Sequence, residues 1–183
     1  MARFTLIFIA SVLLIAGFLS RTSLFSDYPP TVSPRTAGQL VVCVPKIIYD
    51  GDTLGCDFNG DGKVTRQQEH VRFIGIDATE MHYSPKNHTG KDEPYALPAK
   101  QLVERLTLNR PIYLEYDQTQ FDKYDRTLAY VYLDPQRKTM LNRLLLEQGL
   151  ARIMFIGRNR RHEADFIHLQ DQSQAQHLNI WSE

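Results

Sequence analysis

The sequence lacks net charge. Lys+Arg and Asp+Glu each number 21, so the formal balance is zero. No global field draws in nucleic acid or an anionic membrane, and any such attraction must come from a local cluster. Cysteine is scarce, with two residues, Cys43 and Cys56. Two thiolates cannot complete a structural zinc site. The six histidines show no metal-ligand spacing on a recognisable helix face. Internal repeats and low-complexity tracts are absent beyond one short linker, which excludes solenoid and array architectures. The chain has 183 residues, 43% hydrophobic and 23% charged, which allows one domain with a real core and accessory segments.

The first 21 residues, "MARFTLIFIASVLLIAGFLSR", stand apart. Arg3 supplies a positive start, and residues 4–20 carry no charge. This pattern predicts export by a signal peptide or retention by an N-terminal membrane anchor, with attachment through residues 4–20. Residues 22–38 are rich in Pro, Ser and Thr and read as a flexible linker. The folded domain is then expected over 39–183, outside the cytoplasm, either periplasmic or secreted or held at a membrane. In such a compartment an even cysteine pair favours one disulfide. A hairpin turned at "DGD" can bring Cys43 and Cys56 opposite each other; the alternative is two buried thiols.

Strands are predicted from β-branched runs at "QLVVCVPKIIYD", "TLGCDF", "HVRFIGID", "PIYLEYD" and "TLAYVYLD". Ala99, Leu102, Val103 and Leu106 recur at helical spacing within 95–108. Met140, Leu141, Leu144 and Leu145 do the same, with Gly149 as the stop. A polar helix is expected at 161–178. Five strands, a helix after the third and helices at the end suggest an α+β fold, a five-stranded OB-type barrel with about three packed helices.

Charged residues collect where these strands end. Asp50 and Asp52 lie in a turn. Arg72 interrupts an apolar strand, where an unpaired buried charge costs several kcal/mol, so it must face solvent or an anion. Asp77 ends that strand, Glu80 follows three residues later, and Arg126 opens the next hairpin strand. Two carboxylates, Asp52 and Asp77, can hold a hard cation. Two guanidiniums, Arg72 and Arg126, can clamp a phosphate. Glu80 can deprotonate water. Together they are the parts for metal-assisted phosphodiester hydrolysis.

The segments "IIYDGDT", "VRFIGIDATE", "DKYDRTLAYVY", "EQGLAR" and "LNIWSE", in this order over about 40–183, resemble the thermonuclease, or staphylococcal-nuclease-like, family. The resemblance implies a calcium-dependent nuclease that cuts DNA and RNA with little sequence preference, leaves 3′-phosphate ends and acts as a monomer. Carried over residue by residue, it makes Asp52 and Asp77 calcium carboxylates and Ala78 a main-chain ligand. Glu80 becomes the general base. Arg72 and Arg126 contact the scissile phosphate, and Lys123 and Tyr124 a terminal one. Ala78-Thr79 replaces the Pro-containing pair usual before the Glu. Phe155 and Gly157 stand where the best-known member has nucleotide-holding tyrosines. The alternative is a non-catalytic OB-fold module that binds nucleic acid or calcium.

One stretch, "DFNGDGKVTRQQE" at 57–69, lengthens the hairpin between Asp52 and Arg72. Asp57, Asn59 and Asp61 alternate as in a calcium loop, and Gly62 permits a sharp turn. An EF-hand would need flanking helices and Glu at the twelfth position, which here is Gln68. The expectation is a hairpin tip that forms a candidate second, structural calcium site. The polar segment "MHYSPKNHTGKDEPYA" after Glu80 is expected to form a mobile loop beside the site.

Overall fold

The computed structural model describes residues 35–82 and 90–182. The export or anchor segment, the linker up to residue 34 and the middle of the polar segment after Glu80 lie outside the described residues. Among the described residues no helix is long and apolar enough to cross a membrane.

Seven strands form among the described residues: β1 (Leu40–Ile48), β2 (Thr53–Asp57), β3 (His70–Phe73), β4 (Gly75–Ala78), β5 (Ile112–Glu115), β6 (Thr127–Tyr132) and β7 (Ala151–Met154). Five close into a barrel in the order β1-β2-β3-β6-β5. Closure follows from the length of β1. Its first half pairs with β5, Leu40 opposite Glu115. Its second half pairs with β2, and a bulge between Pro45 and Ile47 bends it from one partner to the other. This is the OB-type α+β architecture expected. Helices α1 (Ala96–Thr107), α2 (Leu141–Glu147) and α3 (Glu163–Ala175) pack on it. The core joins Leu54, Val71, Phe73, Leu114, Leu128 and Val131 of the barrel to Leu141 and Leu145 of α2 and Phe166 of α3.

The segment "HVRFIGID" is two strands rather than one. The chain leaves the barrel at Ile74 and turns at Gly75, whose φ is +81°. A Cβ there would lie 2.7 Å from the Phe166 ring, so glycine is required for both backbone and space. Asn142, fully buried on α2, fixes this corner. It donates to the Ile74 carbonyl at 2.8 Å and accepts from the Val131 N–H at 2.9 Å. Beyond the corner, β4 pairs with β7 in a two-stranded ribbon, with Asp77 opposite Arg152. The strand β7 is the element that pattern reading missed.

Cys43 and Cys56 are disulfide-bonded, with Cα atoms 5.8 Å apart. They are not directly opposite. Pro45 faces Cys56 across the ladder, so the bond runs diagonally between β1 and β2.

Candidate active site

Three elements bring the site together: the β1–β2 turn, the β3–β4 corner and the loop before β6. In the turn, Asp50 accepts the Asp52 N–H at 2.9 Å. Gly51 lies so close to Ala78 and Ala99 that a Cβ would stand 2.7 Å from each of theirs. The turn therefore lies flat against β4. Asp52, only 2% exposed, accepts the Ala78 N–H at 2.7 Å.

Arg72 faces an anionic partner, as its burial demands. Its guanidinium lies 2.5 Å from Asp52 and 2.8 Å from Asp77, and also donates to the Ile76 carbonyl at 3.0 Å. The phosphate clamp expected of Arg72 is thus shared. Its nitrogens already hold the two carboxylates, and it lines the cleft while only 4% exposed. Burial raises the Asp52 carboxyl above the ordinary carboxylate range, against the pull of Arg72. Burial also raises Glu80, reinforced by Asp50, Asp77 and Glu93 and opposed by Arg72.

Arg126 comes from the opposite wall. Asp122 takes its Nε at 2.7 Å and its backbone N–H at 3.0 Å, and neither terminal nitrogen bonds another described residue. Burial opposes the Asp122 charge, but N–H donors from Arg126 and Tyr124 and the Arg126 guanidinium outweigh it. They hold the carboxyl below its ordinary range. Lys123 stacks over the Tyr124 ring at 4.9 Å, and Arg126 lies 5.5 Å from the same ring. Arg72, Asp77, Glu80, Lys123, Tyr124 and Arg126 line one cleft of about 380 Å³. Arg72, Lys123 and Arg126 line it together with the carboxylates of Asp77, Glu80 and Asp122, and Asp52 is buried against Arg72. Such a cleft can grip a phosphodiester and activate water against it.

A model described as staphylococcal nuclease homologue matches residues 70–183. A thermonuclease of Staphylococcus hyicus is 36% identical over 135 residues, spanning 74% of this chain and 72% of that protein. A thermonuclease of Staphylococcus intermedius is 37% identical over 136 residues, spanning 74% and 73%. This chain belongs to the staphylococcal nuclease family. A further family relative, endonuclease YncB of Bacillus subtilis (strain 168), is 30% identical over 135 residues, 73% of this chain and 58% of that protein.

Within this family member, the apolar wall of the cleft escaped sequence reading, although its neighbours Phe155 and Gly157 did not. Met154 and Ile156 form the apolar wall of the cleft. Phe155, between them, lies under the Arg160 guanidinium at 4.6 Å. Gly157 could not hold a side chain as it lies, since a Cβ would stand 2.5 Å from Thr119 Oγ1. Asp122 was also missed, although an Asp four residues before an Arg in a turn was a readable signal. Asp50, quoted for its turn, adds charge that raises both Asp52 and Glu80.

The 57–69 stretch links β2 to β3 and ends in a 3-10 turn at Gln67–Glu69, with strands rather than helices on both sides, so no EF-hand is built. Asp57 accepts N–H groups from Asn59, Gly60 and Gly62 at 3.2, 2.7 and 2.8 Å. Asn59 accepts from Asp61 at 3.1 Å, and Asp61 from Lys63 at 2.8 Å. Glu69, buried, accepts from Thr65 at 2.6 Å and Arg66 at 2.9 Å.

Proposed function

We propose that this chain is an exported, monomeric, calcium-dependent nuclease that hydrolyses phosphodiester bonds of DNA and RNA and leaves 3′-phosphate ends. The observation that carries the reading is that Arg72, Asp77, Glu80 and Arg126 line one cleft, with Asp52 paired to Arg72 beside it. The carboxylates paired with Arg72 fit a hard cation. Asp52 and Asp77 offer oxygen only, stand close enough to share one guanidinium, and include a carboxyl that burial leaves short of compensation. Among the described residues no three His, Cys, Asp or Glu cluster as ligands, so main-chain oxygen such as that of Ala78 would complete the set. Bound there, calcium would neutralise phosphate charge and polarise the phosphorus–oxygen bond.

The residues of the chain do the rest. Arg126, held by its Nε edge, offers its terminal nitrogens to a non-bridging phosphate oxygen. Negative charge grows on that oxygen as water attacks, and fixed donors stabilise it most at that point. Glu80 accepts the proton of the attacking water, and its raised carboxyl makes it a stronger base than a free glutamate. A 3′-phosphate product requires that the bond to O5′ breaks. Water, not a 2′-hydroxyl, is the nucleophile, so DNA and RNA are equivalent at the reacting centre. Lys123 and Tyr124, exposed at the rim, suit a neighbouring phosphate. The disulfide supports an oxidising location.

The test is digestion of plasmid DNA and of an RNA transcript by the purified folded protein, in calcium and in EDTA. The expected result is cleavage of both in calcium alone, with ends that resist 3′-extension until treated with phosphatase. Equal digestion in EDTA overturns the metal requirement. Ends bearing a free 3′-hydroxyl overturn the bond assignment. Tight binding without any cleavage points instead to the non-catalytic module.

A further inference from the structure

The 57–69 loop touches the turn that carries Arg126. The Gln68 side-chain amide donates to the Asp125 carboxylate. The Gln68 main-chain carbonyl accepts from Thr127 Oγ1 at 2.6 Å. These two bonds flank Arg126 on both sides in sequence. They also reach across the fold, since β3, which begins just after Gln68, runs parallel to β6 with Val71 beside Thr127.

The Arg126 turn needs support from outside itself. Asp125 has φ of 63°, a left-handed conformation that a side chain occupies at some cost. Asp122 shapes the turn through Tyr124, Arg126 and the guanidinium Nε, but all of those groups belong to the same short segment. Gln68 ties the turn to a different part of the chain. Gln68 is itself well anchored. It sits in the 3-10 turn closed by the Glu69 N–H bonding to the Arg66 carbonyl at 3.0 Å, and the buried Glu69 carboxylate takes two N–H groups just before it. Four residues further on stands Arg72. One rigid segment therefore reaches both walls of the cleft.

We propose that Gln68 is a positioning residue for Arg126. It fixes the Asp125 and Thr127 flanks so that the guanidinium meets the phosphate where charge develops. The proposal rests on the reading of Arg126 given above. It assigns the lengthened hairpin a catalytic duty without asking it to touch substrate.

The test compares steady-state cleavage and thermal melting of the wild type with Gln68→Ala, Gln68→Glu, the exchange Gln68→Glu with Asp125→Asn, and Arg126→Ala. Gln68→Ala should lower kcat roughly tenfold, because small misplacement of a charged group is costly in the transition state, while KM stays within about twofold. Gln68→Glu sets two carboxylates face to face and should be at least as slow. The exchange restores one hydrogen bond in the opposite direction and should recover most of kcat. A lower melting temperature with unchanged kcat, or an exchange that recovers nothing while melting like the wild type, overturns the proposal. If Arg126→Ala itself turns over normally, the reading of the cleft fails and the proposal fails with it. If Arg126→Ala is slow and Gln68→Ala is fast, only the positioning role is lost.

Discussion

The two walls of the cleft are built differently. The strand wall carries Asp52, Arg72 and Asp77. Arg72 is 4% exposed and its charge is met by two carboxylates within 2.8 Å. The loop wall carries Arg126, whose side chain is 23% exposed and is held by one carboxylate, Asp122. A buried, fully compensated cation is part of what keeps the barrel folded. A partly exposed cation gripped by one edge keeps its terminal nitrogens available to a ligand. The same residue type is thus fully paired on one wall and only partly paired on the other.

The largest effect that sharpens this contrast is on Arg72. Arg72→Met leaves Asp52 buried with its charge unmet, and should destabilise the protein by about 3–5 kcal/mol. Urea unfolding measures it. A loss below about 1 kcal/mol, the range of an exposed ion pair, would erase the difference between the walls. Next comes the disulfide, which pins the strand wall through β1 and β2. Its reduction should cost about 3 kcal/mol by the chain-entropy argument for a loop of 13 residues, and leave the kcat of the still-folded protein unchanged. A fall in kcat in step with reduction would mean that the disulfide also fixes the carboxylates proposed to hold calcium.

The smallest effect concerns Asp122. Its folded carboxyl is depressed, so its contribution to stability is complete above the unfolded value of about 3.9 and is lost as pH falls through the lower folded value. Melting of the wild type and of Asp122→Asn should therefore differ by a constant gap above about pH 5, and the gap should shrink below about pH 4. A gap that widens in acid would reverse the assignment.

The strand wall was legible in the sequence and the loop wall only partly so. Asp52, Arg72 and Asp77 lie on or beside strands that local composition announces, and a charge inside an apolar strand demands partners. The barrel strands β1, β2, β5 and β6 follow from β-branched runs for the same reason. The corner at Gly75 was hidden because the β-branched and aromatic residues of "HVRFIGID" run on past it and read as one strand. Only the close approach of Phe166 and the Asn142 clamp split it in two. The strand β7 has four residues and one partner, β4, far away in sequence, so Met154 and Ile156 could not be placed at the cleft. The diagonal disulfide depended on the bulge in β1, which shifts the register and which no composition signals. Gln68 looked like a failed calcium ligand, because its partner Asp125 is 57 residues away.

The central claim is that phosphodiester chemistry resides in this cleft and that Arg126 serves it. The most direct measurement is kcat on DNA for Arg126→Ala beside its melting temperature, in calcium. The account predicts a kcat lowered roughly 10²- to 10⁴-fold with melting close to the wild type, since this arginine stabilises the transition state and not the fold. Wild-type turnover in the folded variant would contradict it.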